Sequence, residues 1–207
     1  MNIHSVATLP VVDKRAAILD AGTAVFAKRG FFGAQVADVA RAAGIAAGTV
    51  YLYFRSKDEI LTSIFDRTMK DAIEAGQAAL ADIDDPVERL RRIAHMHLAR
   101  LGRDRNLAVV FQVELRQTTK FMERFSKTGL RDYLSVIEQT IEEAQRRGAF
   151  RNTIDARTAS KVFFGALDEM ATNWVLSRRR YSLEAQADAV VDMLVGGFAA
   201  PSRGGAR

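Results

Sequence analysis

A chain of 207 residues, 48% hydrophobic and 27% charged, has the make-up of a folded protein with one large domain or a small one joined to a larger. It contains no cysteine, which excludes disulfides and thiolate metal sites. Thirty Lys and Arg against 25 Asp and Glu give a formal charge of +5, which suits a polyanionic partner such as nucleic acid without requiring one.

The opening MNIHSVATLPVV lacks the basic start and longer apolar run of a secretory signal, and no later segment reaches the roughly 20 apolar residues of a membrane span. A cytoplasmic chain with no membrane partner is expected, with residues 1–12 and the basic tail 200–207 as flexible ends. Prolines number only three, and apolar residues recur at helical rather than alternating spacing, so the fold is expected to be all-α. A first helix follows Asp13, a good N-cap, places Ile18, Gly22, Val25 and Phe26 on one face, and stops near Gly30. Val36, Val39, Ala40 and Ala43 mark a shorter second helix that Gly44 ends. Ser56 and Glu59 form a capping box that opens a helix at Lys57, running to about Ala81 before DIDDP and Pro86. Further helices are predicted at 86–101, 105–117, 128–147, 155–178 and 183–199.

Helix, glycine turn and helix between Val36 and Phe54 have the size and punctuation of a helix-turn-helix, although three-helix units of this shape also occur without DNA. In its second helix Val50 and Phe54, four apart, turn inward and leave Thr49, Tyr51 and Tyr53 pointing elsewhere. Ala46, Ala47 and Gly48 are small enough to let the backbone approach base edges, and the hydroxyls can reach phosphate. Lys57 stands at the start of the next helix, where its charge and the helix amides could meet phosphate.

The stretch GFFGAQVADVARAAGIAAGTVYLYFRSKDEIL, residues 30–61, resembles the N-terminal domain of the TetR family of one-component bacterial repressors over the whole length of that motif. The resemblance implies an N-terminal three-helix domain over 13–56 and a larger helical ligand-binding and dimerisation domain over 57–199. It also implies that Thr49, Tyr51, Tyr53 and Lys57 lie on double-stranded operator DNA, with Gln35 touching the backbone. Ala34, Ala47 and Leu52 depart from the polar residues many relatives carry there.

In the larger domain Phe163, Leu167, Met170 and Trp174 form one stripe, Phe164, Ala171 and Val175 another, and Leu183, Ala187, Val190, Val191, Leu194 and Phe198 a third. These stripes suit either an internal core or an intermolecular four-helix bundle; the TetR resemblance favours a homodimer through the last two helices and a near-palindromic operator. Phe111, Leu115, Phe121, Phe125, Phe163, Phe164, Leu167 and Trp174, with Gln112, Arg116, Asp168 and Asn173 among them, suit an apolar pocket with a few polar groups, and equally a plain core. Arg116 is expected to pair with Asp168 or Glu114.

The segments FQVELRQTTKFMERF (111–125) and FFGALDEMATNWVLSRRRYSLEAQADAVVDMLVGG (163–197) resemble the TetR-family repressors of fatty acid degradation that long-chain acyl-CoA relieves. That resemblance implies an acyl-CoA effector, with no cofactor and no metal. Two basic clusters, Arg89, Arg91, Arg92, Arg100, Arg103 and Arg105, and SRRRY at 177–181, could meet the CoA phosphates or merely be solvated. An efflux repressor sensing cationic molecules through Glu114, Asp168 and Glu169 is the alternative, and a sequence-independent DNA-coating protein a further one. An enzyme is not expected: His4, His95 and His97 are the only histidines, and no nucleophile elbow or phosphate-binding glycine loop occurs.

Ala37, Ala46, Ala47 and Leu52 offer no hydrogen bonds to bases, so operator sequence should be read through thymine methyls, Tyr51 and DNA shape. Operator duplexes carrying uracil for thymine should bind more weakly in a mobility-shift titration; equal affinity rejects methyl contact.

Overall fold

The computed structural model of the chain describes residues 13–117 and 119–198, without the side chain of Phe198. The expected flexible ends, His4 and the Phe198 ring of the last stripe lie outside the described residues.

The elements are helical in the order α1 (Lys14–Arg29), α2 (Val36–Ala42), α3 (Ala47–Tyr51), α4 (Lys57–Leu80), α5 (Pro86–Arg103), α6 (Arg105–Val109), α7 (Thr119–Lys127), α8 (Gly129–Arg146), α9 (Ala156–Leu176) and α10 (Ala187–Phe198). Asp13 caps α1 by accepting the Arg15 and Ala16 amides at 2.9 and 3.2 Å. Ser56 caps α4 by accepting the Glu59 amide at 3.2 Å, while the Glu59 carboxylate takes the amide of Arg55, one residue before the partner expected of a capping box. Asp85 and Pro86 open α5 as cap and first helical residue.

The predicted helix 105–117 breaks into three parts. After α6 the chain makes a π-helical turn over Val110–Glu114 and a 3-10 turn over Leu115–Gln117. Helix α7 is not among the predicted helices; its nine residues begin inside the polar run RQTTK.

Two cores form. The first holds α1, α2, α3 and the start of α4, with Ile18, Phe26, Val39, Val50, Phe54, Ile60 and Ile64 nearly or fully buried. It does not stop at residue 56: Leu107, Val110, Leu115, Phe121 and Phe125, from α6, the turns after it and α7, pack into it. The second core joins α5, α8, α9 and α10, and α4 reaches it with Leu80. Helix α4 therefore runs from one core to the other. Among the described residues no helix is long and apolar enough to cross a membrane.

The crossing of α1 and α4 is close because Gly22 has no side chain: a Cβ there would lie 2.8 Å from Cγ2 of the buried Ile60. Gly22→Ala should lower unfolding free energy by about 1–3 kcal/mol in urea titrations; an unchanged midpoint would mean the helices part without cost.

Candidate functional site

The first candidate surface is built by the turn between α2 and α3. Gly44, at φ +68°, donates its amide to Arg41 O at 3.2 Å and Ile45 donates to Ala40 O at 3.0 Å, the paired bonds of a Schellman turn. That turn seats Val50 and Phe54 in the first core, so the rest of α3 faces out. Tyr51, Leu52 and Tyr53 are 56%, 82% and 41% exposed, and Ala46, Ala47 and Gly48 are exposed beside a half-buried Thr49. Gln35, also exposed, precedes α2 and donates its backbone amide to Asp38 at 3.1 Å. Asp38 receives Arg29 and Arg41 as well, and its carboxyl is held below the usual range first by that amide and then by the two arginines.

Lys57 departs from expectation. Its ammonium points inward and donates to the carbonyls of Phe31, Phe32 and Ala34 at 2.8, 3.2 and 3.1 Å, and it lies over the Phe31 ring. An ammonium has three hydrogens, and the loop between α1 and α2 presents three carbonyls, so Lys57 ties that loop to the start of α4.

The second candidate is a cavity of about 610 Å³ enclosed by α4, α5, α8 and α9 with the segment around α6 and α7. Six of the expected residues line it: Phe111, Gln112, Arg116, Phe125, Phe164 and Asp168. Arg116 pairs with Asp168 at 2.6 Å, as one of its two expected partners, and also donates to Gln112 Oε1 at 3.1 Å. Gln112 donates to Asp168 at 3.1 Å, and the Thr172 hydroxyl donates to Gln112 Oε1 at 2.8 Å.

The other six expected residues do not line it. Leu115 and Phe121 lie in the first core, where the Phe121 ring meets Phe31 edge-on at 5.1 Å. Phe163 and Leu167 are fully buried in the second, on the face of α9 turned away from the cavity. Asn173 is exposed and hydrogen-bonds back to Glu169. Trp174 donates its indole N–H to Tyr181 O at 3.0 Å beneath the Arg105 guanidinium. Sequence reasoning missed the opposite wall, which includes Met69, Ala72, Ile73 and Gly76 of α4, His97 of α5 and Tyr133 of α8. A run of small residues on α4 and a histidine among the apolar residues of amphipathic α5 were the available signals.

Glu114 joins the two sites. Two residues beyond Gln112 in the same π turn, it is buried and accepts the Phe31 amide at 2.6 Å and the Gln117 side chain at 2.8 Å.

The family pattern described as bacterial regulatory proteins, tetR family, matches residues 18–64, and that described as YsiA-like protein, C-terminal region, matches residues 65–197. The chain belongs to the TetR family. This TetR-family chain is 34% identical to the fatty acid metabolism regulator protein of Bacillus subtilis over 87% of its own length and 93% of that protein. It resembles the solved structure of the fatty acid degradation regulator FadR from Bacillus halodurans with a TM-score of 0.86 and 36% identity, covering 89% of this chain and 96% of that one. It also resembles the transcriptional regulator FadR from Bacillus subtilis in complex with stearoyl-CoA, with a TM-score of 0.84 and 34% identity over 88% of this chain and 98% of that one.

The structure of this TetR-family chain sorts the basic cluster of α5 and its surroundings. Arg89 donates to Ile83 O at 2.5 Å, Arg91 bridges Asp188 and Asp192 of α10 at 2.9 and 2.8 Å, and Arg105 donates to the last carbonyls of α9. Arg92, Arg100 and Arg103 line the cavity, with Met96 on the same face of α5; Arg100 lies 3.6 Å from Asp71 and Arg103 4.0 Å from Glu184. Arg92 and Arg103 are exposed and mark the opening.

Within the cavity, burial lowers the His97 pKa from 6.5 to about 4 against the opposing charge of Asp168, and burial pushes the Tyr133 phenol above its usual value. The folded state thus refuses a proton that an unfolded imidazole accepts near 6.5. Stability attributable to His97 is complete above that pH and is lost as pH falls toward about 4. Urea titrations at pH 7 and pH 5 should show His97→Phe losing up to about 2 kcal/mol less than the parent over this interval. Equal losses would place the acid sensitivity elsewhere.

Proposed function

We propose that this chain is a one-component transcriptional repressor controlling fatty acid metabolism, a homodimer that holds a near-palindromic operator and releases it when a long-chain acyl-CoA binds. The observation that carries the reading is a cavity whose apolar interior opens along the arginine-bearing face of α5. Each CH₂ taken from water into such an interior contributes roughly 0.8 kcal/mol, and the CoA phosphates call for cations at the entrance. Arg92, Arg100 and Arg103 supply them. The likeness to a regulator in complex with stearoyl-CoA supports the same ligand class. An efflux-type cationic ligand would find Asp168 engaged by Arg116, and Glu114 outside the cavity lining, held by the Phe31 amide and Gln117. The role is that of a cytoplasmic regulator and not of an enzyme.

On this reading residues 13–56 form the operator-reading unit and 57–199 the effector and dimerisation unit. Ala46, Ala47 and Gly48 let α3 enter the major groove, Thr49, Tyr51 and Tyr53 meet bases and phosphates, and Gln35 meets the backbone. The outward faces of α9 and α10 carry exposed Val162, Leu176 and Met193, which supports their use against a second copy. The stripes that suggested this bundle are largely turned into the chain's own core, as Phe163, Leu167, Ala187 and Val191 are. A ligand lodged against Phe111, Gln112 and Arg116 displaces the π turn and, through Glu114, the Phe31 loop that Lys57 braces. Such a ligand acts only by its differential affinity for the two forms.

Palmitoyl-CoA at about 100 times its Kd should raise the melting temperature by about 5–10 °C, while CoA, palmitate and cationic dyes at equal concentration do less. It should also weaken operator binding in mobility-shift titrations, and Glu114→Gln should keep the stabilisation while blunting the loss of operator affinity. Stabilisation by dyes alone would move the chain to the efflux class; palmitoyl-CoA that binds without altering operator affinity would reject release.

A further inference from the structure

The wall of the cavity contains a hydrogen-bonding group that no ion pair or internal bond explains. His97 lines the cavity beside Phe164, whose ring it meets edge-on at 5.8 Å, and its Nδ1 lies 3.2 Å from the Tyr133 hydroxyl. Its Nε2 is buried and meets no partner among the described residues. The tautomer follows from counting. If Nδ1 carried the hydrogen and donated to the phenol oxygen, two groups would be left over, the Nε2 lone pair and the phenol hydrogen. If the phenol donates to Nδ1, the hydrogen sits on Nε2 and only that donor remains. The second arrangement leaves less unsatisfied, and it leaves one fixed, buried N–H in the cavity wall.

We infer that His97 Nε2–H, oriented by Tyr133, donates a hydrogen bond to the thioester carbonyl oxygen of the acyl-CoA effector and so distinguishes a thioester from other chains of the same length. The inference rests on the acyl-CoA reading above. It draws on the depth of the groups: Arg92 and Arg103 are exposed, whereas the His97 Nε2 is buried in the cavity wall. An acyl-CoA has the same order, with phosphates outermost, carbonyl further in and hydrocarbon beyond. A neutral donor suits an uncharged carbonyl. A fatty acid carboxylate would not find Arg116 free, because that guanidinium is held by Asp168 and Gln112.

The test uses the full chain and two CoA ligands, palmitoyl-CoA and S-hexadecyl-CoA, the thioether that keeps the chain and the phosphates but lacks the carbonyl. Calorimetric titration of the parent should show about tenfold tighter binding of the thioester. His97→Phe, which keeps an aromatic ring and loses the donor, should bind both ligands alike, near the parent's affinity for the thioether. Tyr133→Phe, which frees the imidazole to change tautomer, should show a reduced preference and gives a second reading should His97→Phe fail to fold. Equal affinities in the parent, or an undiminished preference in the variants, would overturn the assignment while leaving acyl-CoA sensing intact. If the folded parent binds neither ligand, the acyl-CoA reading falls and the His97 assignment with it.

Discussion

The Glu114 carboxylate, in the π turn that follows α6, accepts the backbone amide of Phe31 in the loop between α1 and α2, and both groups are buried. That bond constrains two surfaces at once, because the π turn that presents Glu114 also presents Gln112 to Asp168 and Thr172. An ordinary α-helical path would carry one residue fewer through this turn and rotate one of the two side chains away from its partner. The irregularity is what allows five residues to face both the cavity and the DNA-reading head. Lys57 completes the joint from the other side, tying three carbonyls of the same loop to the first turn of α4.

The cavity is compatible with a stable fold because its neighbours are not asked to fill it. Ala72, Ala75 and Gly76 leave α4 thin where it passes α5, while Phe163, Leu167 and Ala171 pack the far side of α9 tightly. The polar groups where α9 meets the π turn are compensated in a chain from the exposed Arg116 through Asp168 and Gln112 to Thr172. A buried charge without such partners would cost more than the surrounding contacts return. The arginines divide by the same logic. Arg89, Arg91 and Arg105 are held closely by carbonyls or carboxylates of neighbouring segments, whereas on the cavity face of α5 Arg100 and Arg103 make only longer contacts, to Asp71 at 3.6 Å and Glu184 at 4.0 Å.

How much was legible in the sequence varied with the range of the interaction. The starts of α1, α4 and α5 were visible because Asp13, Ser56 and Pro86 act on amides within a few residues. Gly44 likewise announced its turn through its own left-handed backbone. The Arg116 ion pair was foreseen to within two partners, since a cation in an apolar segment needs an anion and few were near. Helix α7 and the π turn were not legible, because both depend on long-range contacts, of Phe121 with the Phe31 ring and of Glu114 with the Phe31 amide.

By itself, the sequence determined the all-α class, the helix-turn-helix and its outward Tyr51 and Tyr53, because period, caps and turn glycines are local physics. Only the tertiary structure decided which aromatic residues face the cavity and which the core. Phe163 and Phe164 are adjacent and chemically identical, yet one is fully buried in the second core and the other lines the cavity. The difference is a rotation of about 100° around α9, and its meaning depends on which helices stand on either side.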